Sequence, residues 1–148
     1  MTASTDTPQA APKPTRIAPI VTPDAKFFWD AADREEFVGQ KCGSCGKFTF
    51  PPRPMCPFCH SLDRQIVPLS GRGTVHAWTV PRHPHPFGFK EAPIVAVIQL
   101  EEGTRMVSNV VGIKPEDMKM DLPVEVTFEP TMGNHKLPVF RLRKGERA

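Results

Sequence analysis

Apolar residues change their period along this chain, and each change marks a different kind of element. Over residues 24–39, DAKFFWDAADREEFVG, the side chains of Phe27, Phe28, Ala31, Ala32 and Phe37 fall on one side of a 3.6-residue repeat, with Asp30, Asp33, Arg34 and Glu36 mostly on the other. That spacing predicts a short amphipathic helix closing at Gly39, with Pro23 and Asp24 as its entry and cap. From residue 71 the period becomes two. GRGTVHAWTV, IVAVIQL, RMVSNVVG, PVEVTFE and PVFRLR are β-branched, alternating runs that predict five strands. Turn-rich pieces separate them, at the spacing of a small antiparallel barrel and without crossover helices. Five strands with one longer connection point to an OB-fold, and GIKPEDMKMDL is placed to form a short helical turn between the third and fourth strands. The expected fold class is mainly β: an N-terminal helix and a rubredoxin-like zinc ribbon, then an OB-fold antiparallel barrel.

The ribbon is read from the stretch that has no period. KCGSCGKFTFPPRPMCPFCH, residues 41–60, carries all four cysteines as two Cys-x-x-Cys pairs with ten residues between them. Two such turns can aim four sulfurs at one centre, so Cys42, Cys45, Cys56 and Cys59 are expected to bind one structural Zn2+ per chain. Gly43 and Gly46 stand where the first turn needs freedom; the second has Pro57 inside and His60 at the position a glycine would suit, and a loop histidine tolerates left-handed angles. Four cysteines within 18 residues would not staple a fold of this size, and the chain shows no export signal, which disfavours disulfides. Iron is the alternative metal, and a colourless preparation excludes ferric thiolate. Four thiolates leave no open coordination position, so the ion would hold shape in a hairpin with almost no core of its own.

Composition adds boundaries. Eighteen prolines are more than twice the average share, and five of them lie in residues 1–23, which read as a disordered or partner-draped arm. The expected division is arm 1–23, helix plus ribbon 24–64, barrel 65–143 and basic tail 144–148. No apolar run approaches the roughly 18 to 20 residues of a membrane span, and no signal-peptide stretch opens the chain, so a cytoplasmic location without a membrane is expected. The formal charge of +3 tolerates an anionic ligand without marking a nucleic-acid binder. A single-stranded nucleic-acid-binding protein is still the rival reading of a zinc ribbon with an OB-fold. Against it, IVAVIQL and RMVSNVV offer one arginine and no aromatic for stacking. His76, His83, His85 and His135 suggest a second metal site or an acid-base pair, but the two in PRHPHPFGF have no nearby Asp or Cys to complete a coordination set and read as a loop contact surface. Ser70 and Ser108 lie in no nucleophile elbow. No catalytic residue is expected.

FFWDAA, CGSCGKFTFPPRPMCPFC, SGRGTVHAWTV, APIVAVIQLEEG and VSNVVG, in that order, resemble the acyl-CoA-associated family of zinc-ribbon plus OB-fold proteins, over residues 24–142. The resemblance implies a subunit that is not an enzyme alone. It would partner a thiolase, a thiolase-like aldolase or a MaoC-type hydratase in acyl-CoA chemistry such as lipid, steroid or aromatic acid degradation. A coenzyme A thioester would then pass between ribbon and barrel. Phe50, Pro51 and Pro52 would form a rigid wall, Arg53 would meet phosphate or adenine, and Trp78, Thr79, Phe87 and Phe89 would line the far side. Phe27, Phe28 and Trp29 cannot all face one side of a helix, so that face is expected to dock the partner or the adjacent ribbon.

Overall fold

The computed structural model describes residues 16–145; the first fifteen residues of the expected arm and the last three of the basic tail lie outside them. A 3-10 turn at Pro23–Ala25 leads into α1, Lys26–Asp33. The helix is shorter than its pattern suggested. Glu35 takes a left-handed φ of 62° and the chain turns away, because Phe37 reaches the core from extended backbone and stacks edge-on with both Phe28 and Phe140. Gly39 is therefore no helix stop. It lies in a strand, where an added Cβ would sit 2.8 Å from Leu69. Asp24 does not cap the helix either, and its carboxylate faces Arg64 at 3.4 Å.

Three strands make the ribbon sheet: β1, Val38–Cys42; β2, Phe48–Thr49; and β3, Arg64–Pro68. Their order is β2-β1-β3, all antiparallel. The sequence pattern had marked none of these. β3 is an edge strand that is almost wholly exposed, so it carries no alternation to detect.

The five expected strands are all present as β4 (Arg72–Thr79), β5 (Ile94–Leu100), β6 (Arg105–Val110), β7 (Pro123–Pro130) and β8 (Lys136–Leu142). They close in the order β4-β5-β6-β8-β7, and a 3-10 turn at Pro115–Asp117 sits between β6 and β7. This is the OB-fold. Closure depends on one parallel pairing, Val110 with Phe140, reinforced by the Val111 N–H donating to the Phe140 carbonyl at 2.8 Å. Val75, Ile98, Leu100, Val124 and Phe140 fill the interior, and Phe28 and Phe37 extend the same core towards the ribbon.

β4 and β5 approach closely at Gly73, where a Cβ would lie 2.5 Å from the Gln99 carbonyl oxygen and 2.9 Å from an Ile98 methyl. Gly73→Ala is expected to destabilise the chain by about 1–3 kcal/mol, the usual penalty of overpacking. A urea midpoint equal to that of the wild type would contradict this.

The described end of the arm lies on the barrel. Arg16 pairs with Glu129 at 2.8 Å, donates to Asn109 Oδ1 at 2.8 Å and stacks 4.9 Å over the Phe89 ring, while its carbonyl accepts from the Met132 N–H.

Candidate functional site

Each Cys-x-x-Cys turn is built by the same two backbone bonds. Gly46 N–H donates to the Cys42 carbonyl and His60 N–H to that of Cys56; Cys42 N–H donates to Lys47, and Cys56 N–H to Ser61, all at 2.9–3.0 Å. The residue that reverses each turn has positive φ, 72° at Gly46 and 59° at His60. The histidine thus does what a glycine does in the first turn. Ser44 bonds Ser61 at 2.7 Å across the two turns, and a Cβ on Gly43 would collide with Asp63.

The four sulfurs lie within 4.8 Å of one another, with Cys42–Cys59 at 3.5 Å and Cys45–Cys56 at 3.7 Å. A tetrahedral ion with sulfurs at about 2.3 Å requires sulfur separations of about 3.8 Å, so the cysteines fit one. Among the described residues no other cluster of metal-ligating side chains occurs. Their protonation favours a cation as well. The backbone N–H of Cys45 holds the Cys42 thiol down at about 6. At Cys59 the backbone N–H of Ser61 pulls the same way but is outweighed by the neighbouring thiols and by burial, which push it up to about 12. Cys56 is raised by burial but lowered, on balance, by the Cys59 and Phe58 N–H groups. Four thiols this close cannot all ionise unaided, and a divalent ion removes the mutual repulsion.

Beside the centre, a groove of about 300 Å³ runs between the ribbon and the β5–β6 turn, lined by Phe48, Thr49, Phe50, Arg53, Pro57, Phe58 and Thr104. Gln40, 3% exposed, clamps Arg53 by accepting from its N–H at 3.1 Å and donating to its carbonyl at 2.8 Å. This residue was missed in the sequence, where a glutamine within a strand has no signature. Phe50 is half-buried and stacks on Phe28 at 5.4 Å. Phe87 and Phe89 line a different cleft, of about 290 Å³, with Lys90 and Met132; Trp78 and Thr79 are exposed at the end of β4. Of the eight residues expected to share one slot, Phe50 and Arg53 line the first groove and Phe87 and Phe89 the second.

Phe28 is buried, and Phe27 and Trp29 are half-buried against the same core. His135 bonds Asp33 at 2.8 Å and the Lys136 N–H donates to the same carboxylate, tying α1 to β8. His85 reaches the Phe89 carbonyl within its own loop.

Residues 29–63 match the family described as "ChsH2, rubredoxin-like zinc ribbon domain", and residues 66–129 match "ChsH2, C-terminal OB-fold domain". A "DUF35 domain-containing scaffold protein" of Methanocaldococcus jannaschii is 38% identical over 99 residues, covering 65% of this chain and 70% of that protein. The "Probable enoyl-CoA hydratase alpha subunit" of Thermomonospora curvata is 36% identical over 93% of this chain, which spans only 43% of that relative's length. The "Benzoylsuccinyl-CoA thiolase subunit BbsA" of Thauera aromatica is 29% identical, covering 78% and 84% of the two chains. Among solved structures, "Ltp2-ChsH2(DUF35) aldolase" superposes with a TM-score of 0.78 at 36% identity, over 84% of this chain and 98% of that one.

Proposed function

The chain belongs to the ChsH2 and DUF35 family of zinc-ribbon and OB-fold proteins, and from that premise we propose that it is a non-catalytic subunit supporting a thiolase or thiolase-like aldolase that acts on acyl-CoA thioesters. The observation that carries this reading is the similarity, over 98% of its length, to the chain from the aldolase complex. Cys42, Cys45, Cys56 and Cys59 would hold one Zn2+ with every coordination position filled, which leaves the ion a structural task. The ribbon unit includes β3, since all five of its residues pair with β1, and we place the junction with the barrel after Pro68 instead of at residue 64.

The full tagged chain, expressed in its own cells, is expected to co-purify with a thiolase-type subunit, to carry one zinc per chain, and to leave acyl-CoA thioesters unchanged when isolated. Turnover by the isolated chain, or the absence of any thiolase-type subunit from the purified material, would overturn the reading.

Coenzyme A contact is assigned to the junction groove, since the surface that carries Phe87 and Phe89 lies elsewhere. Phe48, Phe50 and Phe58 supply the apolar wall, with Pro51 and Pro52 joining Phe50 to Arg53 in the chain, and Arg53 supplies a planar cation for phosphate. Gln40 holds the Arg53 backbone only, so removing the side chain leaves the clamp intact. Arg53→Ala is expected to weaken coenzyme A binding to the assembled complex by about 1.5–3 kcal/mol, the worth of a charge-assisted hydrogen bond, with the melting temperature unchanged. Titration calorimetry giving equal affinities would remove the phosphate role.

A further inference from the structure

The outward positions of the barrel strands follow a rule that is broken on one side. On β7 they are Glu125, Thr127 and Glu129, as expected of a face in water. On β8 they include Leu137 and Val139, and α1 packs against that strand, with Val139 1% exposed. On β5 and β6 they are mixed: Val95, Val97 and Val107 form an apolar centre, with Gln99, Arg105 and Asn109 around it. Ile94, Ala96, Ile98 and Leu100 face the interior, which leaves Val95 and Val97 outside. Val97 is flanked in register by Ala77 and by Val107, which is 63% exposed. A strand that is apolar on both faces is the signature of one buried on both. Here the second face is only partly covered within the described chain: Val95 and Val97 are half-buried, Arg16 reaches Asn109 at one end, and Val107 stays open.

The surface continues past this sheet. Asn109, in register with Val95, receives Arg16, which stacks on Phe89 and binds Met132 through its backbone. Beyond it, Phe87 is 75% and Met132 55% exposed, so two large apolar side chains stand at the end of the valine row. Arg82, Lys90 and Arg105, from the flanking loop and strand, make no ion pair among the described residues, and Glu91 is the acidic residue of that loop. An apolar centre with an unpaired cationic rim is the anatomy of a protein interface whose other side is apolar and ringed by acids. It is not a stacking platform for single-stranded nucleic acid, since the sheet positions carry no ring and Arg16 already covers Phe89, which leaves Phe87 as a single exposed ring of that loop.

We propose that the outward face of β4, β5 and β6, extended by Phe87 and Met132, is the seat of the thiolase-type subunit, with Arg16 presetting the loop that carries Phe87. This rests on the function proposed above.

The test uses the full chain and the thiolase-type subunit that co-purifies with it. Hydrogen exchange of the chain with and without that subunit is expected to show protection at residues 86–90, 95–97 and 105–109. Val107→Asp and Phe87→Ser change exposed positions, so each is expected to keep the wild-type melting temperature while weakening the complex at least 30-fold, the scale of an interface hot spot. Val107→Ile is expected to bind as the wild type does. Protection confined to the ribbon, undiminished affinity in both variants, or the same face closing on a second copy of this chain or on oligo(dT), would overturn the proposal while leaving the subunit role standing. If the wild type binds no thiolase-type subunit at all, both readings fall together.

Discussion

Removing the metal, or replacing any one of Cys42, Cys45, Cys56 and Cys59 by serine, is expected to unfold the ribbon beyond Gln40 while the barrel stays folded. The reason lies in what the ribbon buries. Within its strands and turns the buried residues are Gly39, Gln40, Cys42, Thr49 and Cys56, with no large aliphatic side chain among them. β2 has two residues, and the buried face that hydrophobic cohesion would need is absent. The chain is held by the two backbone-bonded turns and by whatever ties their sulfurs together, and a serine hydroxyl binds zinc far more weakly than a thiolate. The start of β1 should survive, because Phe37 and Leu69 anchor it to the barrel core. Chelation of the full chain, followed by amide exchange, should therefore expose residues 41–64 and spare β4 to β8. Elemental analysis should find the metal gone from each serine variant. Full protection of residues 41–64 after metal removal would refute the structural role.

Phe28→Ala is expected to cost about 3–5 kcal/mol, the range for deleting a fully buried phenylalanine. Phe28 is 3% exposed and meets Phe37 and Phe50 edge-on, at 6.3 and 5.4 Å between ring centres. It therefore joins three pieces, α1, the entry to β1 and the ribbon loop, to one core. Each edge-to-face pair contributes about 0.5–1.5 kcal/mol beyond its buried area. Trp29, half-buried beside Arg16 and Leu137, should lose less when truncated. Denaturant titration of both variants measures the contrast. An effect at Phe28 no larger than at Trp29 would mean that the helix does not hold ribbon and barrel together.

This centre of aromatic rings also bears on how much could be read in advance. The apolar positions Phe27, Phe28, Ala31 and Ala32 signalled the helix, but the pattern ran on to Phe37 and so lengthened it by six residues. Phe37 is apolar at a helical interval by coincidence; its partners are Phe28 and Phe140, and the second of these is 103 positions away. The β strands of the ribbon were invisible for a related reason. Strands are recognised by an alternation that burial imposes, and a sheet stabilised by four sulfurs imposes none. Which of the residues expected to share one slot line the same cleft was likewise not legible, since Phe50 with Arg53 and Phe87 with Phe89 line two different ones.

The amino-acid sequence by itself determined that four cysteines gather at one centre able to hold a metal, because thiol spacing is a local property of two tight turns, and it determined the five barrel strands, because each must alternate to have an inside. It also determined that His60 stands where the backbone turns left-handed. Only the tertiary structure decided which residues meet. Gln40 clamps Arg53, Arg16 fastens the arm across Asn109, Glu129 and Phe89, Asp33 is tied to His135, and β5 turns a second apolar face outward. These depend on chain segments up to about a hundred residues apart arriving at one place, and that arrival is set by closing the barrel and seating the helix on it.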